Sequence, residues 1–165
     1  YKYHYSRHAA RTIKESKMPQ SPDWPNCFVT YRGIVLPKHC DHYGHLNVRY
    51  YAHFFDDGGF QMWGHAGIKH SDLTKDGMGA VVANVSIDFI HEITAGQPLV
   101  IRGAWTNIGA KSLAHEQRLY NADTGTHCAS QTAVEVFFDM QKRQSAPIPE
   151  GIRARITPLV IDPDT

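Results

Sequence analysis

One helical segment followed by four closely spaced strand segments is the feature that most constrains the fold of this sequence. Asn47 is a suitable N-terminal cap, and the helix is predicted to end near Gly64 or Gly67. Gly58 and Gly59 lie inside it, where each costs about 1 kcal/mol relative to alanine. One reason for such a cost is the close approach of another backbone, as when a sheet wraps tightly around the helix. Apolar side chains recur at the spacing of one helix face, at Val48, Tyr51, Ala52, Phe55, Gly59 and Met62.

The other regular segments have the composition or the alternation of β-strands. The last four are joined by short turns, which indicates an antiparallel sheet. A loop is predicted at residues 71–79, and an extended, proline-punctuated tail follows residue 144. The pattern predicts an α+β fold in which a curved antiparallel sheet wraps around one long central helix. The predicted strands cover residues 27–37, 83–89, 99–107, 113–121 and 127–139.

Composition restricts the classes of partner. The chain has 165 residues and a net charge of +1, which gives no electrostatic case for nucleic acid or for an acidic membrane surface. Cys27, Cys40 and Cys128 are odd in number and widely spaced, so we expect free thiols and a cytoplasmic location. Residues 1–25 are basic and poor in aliphatic side chains, and we expect a loosely ordered or artificial extension there. Residues 26–165 are then a single domain with an extended C-terminal tail.

The segment between the first strand and the helix carries the densest polar chemistry. The stretch D-H-Y-G-H-L-N-V-R-Y, residues 41–50, closely resembles the D-x-x-G-H-x-N-x-x-Y signature of acyl-CoA thioesterases of the 4-hydroxybenzoyl-CoA thioesterase-like family. The segments IGAKSLAHEQRLYNADTG, ASQTAVEVFFD and PIPEGIRARI are also similar to family members, so the resemblance covers about residues 27–156. It implies the hotdog fold, and it implies hydrolysis of an acyl-CoA thioester to a free acid and coenzyme A.

The resemblance also implies roles for individual residues. Asp41 occupies the position of the catalytic carboxylate, and the backbone N–H near Val48 that of the donor that polarises the thioester carbonyl. Gly44, His45 and Asn47 fill the conserved positions of the motif, and with Tyr51 they are the predicted substrate-binding residues. The chain departs from the family pattern in two places. His39 stands where many relatives carry a further aspartate, and Val48 stands where the motif usually has a second asparagine.

Physical chemistry agrees with these roles. The first N–H groups of a helix are unpaired, and they lie at the positive end of the helix dipole, where negative charge develops favourably. A donor aimed at such an oxyanion is typically worth about 10²–10³ in rate. Asp41 precedes the helix closely, so its carboxylate can act as the nucleophile or as a general base towards water. The sequence leaves both roles open.

Several alternatives accompany this interpretation. Asp41 can be a turn residue only, Cys40 can be a nucleophile, and Asp57 is a reserve catalytic acid on the helix. No ligand spacing typical of metal sites occurs, so we expect no metal and no cofactor beyond the coenzyme A of the substrate. The aromatic residues of the helix either line an acyl pocket or pack on the sheet. For Tyr51 and Phe55, which lie on its apolar face, packing is the better interpretation.

Two other functions stay open. An acyl-carrier-protein thioesterase shares a similar motif, and a non-catalytic acyl-thioester binding module would keep the fold without turnover. A serine hydrolase is disfavoured because no G-x-S-x-G segment occurs. A single curved sheet exposes edge strands, so we expect a homodimer or homotetramer with the site at the subunit interface. The acyl group is not identified by the sequence.

Overall fold

The computed structural model describes Trp24 and residues 27–161. No helix in this described part is long and apolar enough to span a membrane. Strand β1 (Phe28–Ile34) precedes the long helix α1 (Val48–His65) and the short helix α2 (His70–Leu73). Four long strands follow, β2 (Met78–Phe89), β3 (Pro98–Ile108), β4 (Ser112–Asn121) and β5 (His127–Asp139). The described chain closes with β6 (Gln144–Ser145) and helix α3 (Glu150–Ile156).

The strands form one antiparallel sheet in the order β1-β3-β4-β5-β2, and β6 pairs with β5. The sheet curls around α1, so the predicted hotdog architecture of the α+β class is confirmed. Because sequential strands β3, β4 and β5 are direct neighbours, only short turns are needed between them. Strands β1 and β2 are left at the two ends of the sheet.

The buried face of helix α1 is rotated relative to the predicted face. Its buried residues are Tyr51, Phe54, Phe55, Gly58, Met62 and Trp63. The predicted core positions Val48 and Ala52 are exposed, Val48 by 60%. Val48 lies in the first turn of the helix, and Ala52 lies one turn later on the same exposed face. The apolar stripe therefore centres on Phe54 and Gly58, which the sequence pattern did not select.

A buried polar network explains one of the two helix glycines. The side chain of Gln117, fully buried on β4, donates from Nε2 to the Phe55 carbonyl at 2.7 Å and to Gln131 Oε1 at 3.3 Å. Its Oε1 accepts from Thr30 Oγ1 at 3.0 Å. A Cβ on Gly58 would collide with Gln117 Oε1 and would lie 3.0 Å from Thr30 Oγ1. The closest neighbours of this glycine are thus side chains of the surrounding sheet rather than its backbone.

Strand β2 starts at Met78, earlier than the predicted residue 83. Its register against β5 shifts between Val82 and Asn84, which is a β-bulge. Inward-facing residues are therefore even-numbered before the bulge and odd-numbered after it. The break in phase hid the first half of the strand, because Met78, Ala80 and Val82 do not continue the alternation of Val85.

Two predicted irregular segments contain helices. The loop predicted at residues 71–79 includes most of α2 and a 3₁₀ turn, Lys75–Gly77. The tail predicted as extended contains α3, which buries Ile152 and Ile156 one helical turn apart. Prolines are tolerated just before a helix, and Pro149 is the N-cap residue of α3. Arg153 Nη2 ties this helix to the Gly109 carbonyl at 2.6 Å.

The predicted N-terminal extension lies outside the described residues except for Trp24. This residue is buried, and the Arg118 guanidinium stacks 4.3 Å from its ring centre. The division at residue 25 stays a prediction.

The two helix glycines should respond in opposite ways to a methyl group. In Gly58→Ala the new Cβ displaces Gln117 and breaks buried hydrogen bonds, so we expect a loss of about 1–3 kcal/mol in the free energy of unfolding. In Gly59→Ala the nearest atom would lie 3.9 Å away, so the gain in helix propensity, about 0.5–1 kcal/mol, should appear. Urea unfolding of both variants tests this. Equal changes in the free energy of unfolding would contradict the role assigned to Gln117.

Candidate active site

Asp41 holds the tight turn that leads into α1. Its Oδ1 accepts from the backbone N–H of Tyr43 at 2.8 Å and of His45 at 3.3 Å. The turn is closed by Asp41 N–H donating to the His45 carbonyl at 2.9 Å. No described residue donates to Oδ2, and the side chain is partly exposed. One carboxylate oxygen thus serves the turn, and the other is open to a reactant.

Gly44 is required by the conformation of this turn. Its φ is +85°, in the region that L side chains rarely adopt, while no atom lies within 4 Å of an added Cβ. Its N–H donates to the Asp41 carbonyl at 3.1 Å. Backbone geometry, not lack of space, therefore makes glycine the residue of choice at this point.

Asn47 caps α1 as predicted, and the cap leaves one N–H open. Its side chain accepts from Arg49 N–H at 3.1 Å, and its carbonyl accepts from Tyr50 and Tyr51. The N–H of Val48 has no acceptor among the described residues. Of the first four N–H groups of the helix, that of Val48 is therefore the one available for a ligand oxygen.

The loop is fastened to the segment after β2. Leu46 N–H donates to the Ile93 carbonyl at 2.8 Å, and His45 forms a β-bridge with Thr94. The His45 ring lies outside, with Nε2 3.1 Å from Glu92 Oε2. His45 thus fixes the loop through its backbone, while its ring contacts an exposed acid.

His39, which departs from the family pattern, supports the loop from below. Its Nδ1 accepts from Leu36 N–H at 3.0 Å, and its carbonyl accepts from Asn47 N–H at 2.9 Å. The ring packs against Tyr50 and, edge-on, against Phe54. Burial, with smaller contributions from Lys38 and His53, lowers the pKa of His39 below its usual 6.5. The neutral ring is the form that accepts this hydrogen bond.

Tyr51 lies in the core beneath the loop, with its ring edge-on to Phe89 at 5.1 Å. Burial raises the pKa of Tyr51 to about 12, so its hydroxyl stays neutral near pH 7. The structure thus places Tyr51 on the packed side of α1, and its predicted contact with substrate stays a prediction.

A cavity of about 540 Å³ lies between the second half of α1, the start of β2 and the inner face of β4 and β5. Its wall is largely apolar, and neither Asp41 nor any other residue of the loop contributes to it. Its lining includes Phe55, Asp56, Phe60, Trp63, Met78, Val82, Val85, His115, Gln131 and Glu135.

The floor of this cavity carries a buried pair of polar side chains. His115 Nδ1 lies 3.4 Å from Glu135 Oε1, and the two residues are 4% and 6% exposed. Despite this distance, His115 Nδ1 has no hydrogen-bond partner. Buried polar atoms are normally satisfied, so this unpaired nitrogen marks the floor as a place where the polar groups are not fully matched.

The side chains of the two alternative catalytic residues, Cys40 and Asp57, contact groups outside the Asp41 turn. Cys40 Sγ lies 3.8 Å from the Leu36 carbonyl and has no histidine partner. Asp57 lies 3.7 Å from His53 on the outer side of α1. Within the described residues, no group of three histidine, cysteine or acidic side chains is arranged to hold a metal ion.

Sequence reasoning missed the cavity floor, although a signal was present. On β4, His115 and Gln117 have the same alternation phase as Leu113 and Leu119, which are buried. On β5, Glu135 likewise falls in phase with Ala133 and Phe137. A charged or polar residue at an inward position of a strand needs a partner or a function.

The loop, the helix and most of the sheet lie within one segment that matches a known protein family. Residues 35–156 match the model of the Thioesterase-like superfamily. The chain belongs to this superfamily. The match extends from the end of β1 to the end of α3, so it includes the Asp41 turn and the cavity. It confirms the predicted family and, at the level of that family, the predicted class of thioester hydrolase.

Named relatives and solved structures are similar to this superfamily member at low identity. A betainyl-CoA thioesterase of Pseudomonas aeruginosa is 24% identical over 130 residues, which are 79% of this chain and 82% of the relative. A 1,4-dihydroxy-2-naphthoyl-CoA thioesterase from Synechocystis superposes with a TM-score of 0.71 at 17% identity, over 79% of this chain and 96% of that one. A Staphylococcus aureus protein solved in complex with CoA superposes with a TM-score of 0.72 at 16% identity, over 79% of this chain and 83% of that one.

The lowered pKa of His39 predicts a pH-dependent stability. The unfolded chain binds a proton at this residue near pH 6.5, whereas the folded chain does not. The free energy of unfolding should therefore fall as the pH drops below about 6.5, and this contribution should level off below the folded pKa. In His39→Gln, which keeps an acceptor for Leu36 N–H, the melting temperature should fall less over this range. Parallel pH curves for the two proteins would contradict the assignment, because all other histidines are common to both.

Proposed function

We propose that this chain hydrolyses an acyl-CoA thioester to a free acid and coenzyme A, with Asp41 as the reacting carboxylate. The proposal rests on the different contacts of the two carboxylate oxygens of Asp41. Oδ1 is held by two backbone N–H groups, while Oδ2 has no donor among the described residues. A carboxylate fixed in this way and placed one short turn before a helix is suited to attack at a carbonyl carbon.

Both modes of attack use Oδ2. As a nucleophile, it forms a mixed anhydride while the C–S bond breaks and CoA leaves as the thiolate, and water then restores the carboxylate. As a general base, it takes a proton from the water molecule that attacks the thioester. In either case negative charge develops on the carbonyl oxygen, and the open N–H of Val48 is the proposed donor to it.

The proposed assembly is a homodimer built through β2, which can pair further into a tetramer. Strand β2 ends the sheet, and no described strand pairs with its outer side. Val82, Val85 and Phe89 on this strand expose about half of their surface. An apolar edge strand of twelve residues is a ready template for pairing with a second copy.

A two-fold dimer through β2 would join the cavity of one chain to the Asp41 turn of the other. Within one chain they lie at opposite ends of β2. The cavity contacts Met78–Val85, and the turn is fastened beyond Phe89, at Ile93 and Thr94. Two-fold antiparallel pairing sets the first half of one β2 beside the second half of the other. The cavity then becomes the acyl pocket for the partner chain, and the active site lies at the interface.

The CoA part of the proposed substrate is supported by the S. aureus neighbour solved with CoA. The acyl group differs between relatives, betainyl in one and dihydroxynaphthoyl in another, so their names do not select it. An acyl-carrier-protein thioester is the alternative substrate, and a binding module without turnover is the alternative function. A cytoplasmic location is the proposal that suits the three free cysteines.

Asp41→Asn tests the reacting carboxylate. Asparagine keeps an Oδ1 that can accept from Tyr43 and His45, so the turn should stay folded. We expect kcat to fall by at least about 10², the scale of lost acid–base catalysis. Thiol release is measured on acetyl- to palmitoyl-CoA and on benzoyl-, 4-hydroxybenzoyl- and betainyl-CoA.

Cys40→Ser and Asp57→Asn are the controls, and both should retain activity. A folded and fully active Asp41→Asn would make Asp41 a turn residue only. If wild type binds CoA esters without cleaving any, the binding module is correct.

Val48→Pro removes the proposed oxyanion donor without removing a helix residue. Proline is favoured at the first helical position, and Asn47 already has a φ of −72° and a ψ of 142°, compatible with a following proline. We expect α1 to form and kcat to drop by about 10²–10³. Val48→Ala keeps the N–H and should behave as wild type. A Val48→Pro protein with unchanged melting temperature and unchanged kcat would exclude this N–H from catalysis.

A further inference from the structure

The cavity on the second half of α1 has an uneven set of charged groups. The carboxylates of Asp56 and Glu135 and the imidazoles of His70 and His115 line it, and none of the described lining residues is a lysine or arginine. Two carboxylates thus face the cavity without a permanently charged cation among the described lining residues to balance them, and an anionic acyl group would be repelled.

The Glu135 carboxylate lies on the cavity floor with little exposure. It is 6% exposed, and no described residue donates a hydrogen bond to it. Its nearest basic atom, His115 Nδ1, lies 3.4 Å away without hydrogen-bond geometry and is itself unsatisfied. Burying a carboxylate in an apolar wall is costly unless a cation or several donors compensate it. The cavity floor is thus built for an occupant that brings positive charge.

The rest of the wall indicates which kind of cation fits. Phe55, Phe60 and Trp63 come from α1, and Met78, Val82 and Met140 face them across the cavity. Phe60 is largely exposed at the mouth, and Trp63 is packed against Trp105. Aromatic and apolar walls suit a weakly hydrated quaternary ammonium, whereas a primary ammonium keeps its water and requires more acceptors.

We propose that this cavity selects an acyl group that carries a quaternary ammonium, with Asp56 and Glu135 as the specificity-determining carboxylates. The inference rests on the proposed thioesterase function and adds the chemical class of its acyl group. The ammonium lies against Phe60 and Trp63 and between the two carboxylates. The thioester carbonyl extends out of the mouth towards Asp41 of the partner chain.

The test compares two substrates of the same shape. Betainyl-CoA and 3,3-dimethylbutyryl-CoA differ only in having N⁺ or carbon at the branch point. For wild type we expect kcat/KM on betainyl-CoA to exceed that on the neutral isostere by at least about tenfold, as one ionic contact in a partly buried site provides. Succinyl-CoA and 4-hydroxybenzoyl-CoA should be poorer substrates. Equal or better cleavage of the isostere or of the hydroxybenzoyl ester overturns the proposal.

Variants assign the selectivity to the two carboxylates. Asp56→Asn, at an exposed helix position, and Glu135→Gln, on the floor, should each lower kcat/KM on betainyl-CoA by about tenfold and leave the isostere within about twofold. Asp123→Asn makes the same change of charge in the turn after β4, outside the cavity, and should leave kcat/KM unchanged on both substrates. An equal loss on both substrates in Asp56→Asn and Glu135→Gln overturns the proposal, since such a loss is structural.

A binding measurement separates this proposal from the proposed reaction. The methyl protons of tetramethylammonium report binding in saturation-transfer NMR without any turnover. If wild type cleaves no thioester, the proposed function fails. The proposal for the cavity then stands if tetramethylammonium binds to wild type and binds more weakly to Asp56→Asn and Glu135→Gln. It falls if wild type shows no binding.

Discussion

The wrapping of one sheet around one helix is the constraint on which the rest of this structure depends. Helix α1 buries six residues against a single curved layer, and the closest approach is made at Gly58, where Gln117 and Thr30 occupy the space of a side chain. The hydrogen bond from Gln117 to the Phe55 carbonyl joins the centre of the helix to the centre of the sheet. This contact lies about two helical turns after the Val48 N–H, so it joins the helix that presents the Asp41 turn to the sheet.

The order of elements and the position of the loop were predictable from sequence. Period 3.6 and period 2 are strong local signals, and the turn before α1 carries its own chemistry in Asp41, Gly44 and Asn47. The first half of β2 was not predicted because a bulge inverts its alternation. Helix α3 was not predicted because two prolines precede it. Both errors concern segments whose local pattern is interrupted by a single residue type or a single register shift.

The candidate site was only half predictable, for a physical reason. The attacking group and the oxyanion donor belong to one continuous segment, so a motif describes them. The cavity is assembled from α1, β2, β4 and β5, and its polar floor joins His115 and Glu135, which are twenty residues apart in sequence and adjacent only through strand pairing. Alternation phase places each of them inward, but only the sheet register shows that they meet.

The division between the two oxygens of Asp41 has a consequence for the kinetics of the proposed attack. A free aspartate side chain rotates about two bonds, and most of its orientations do not point at a carbonyl carbon. Here two backbone N–H groups hold Oδ1 in the folded state, so the loss of that rotational freedom belongs to folding and not to each catalytic cycle. A covalent bond to Oδ2 would leave both hydrogen bonds of Oδ1 in place. The turn therefore has no need to rearrange between successive chemical steps, and the loop can remain rigid throughout turnover.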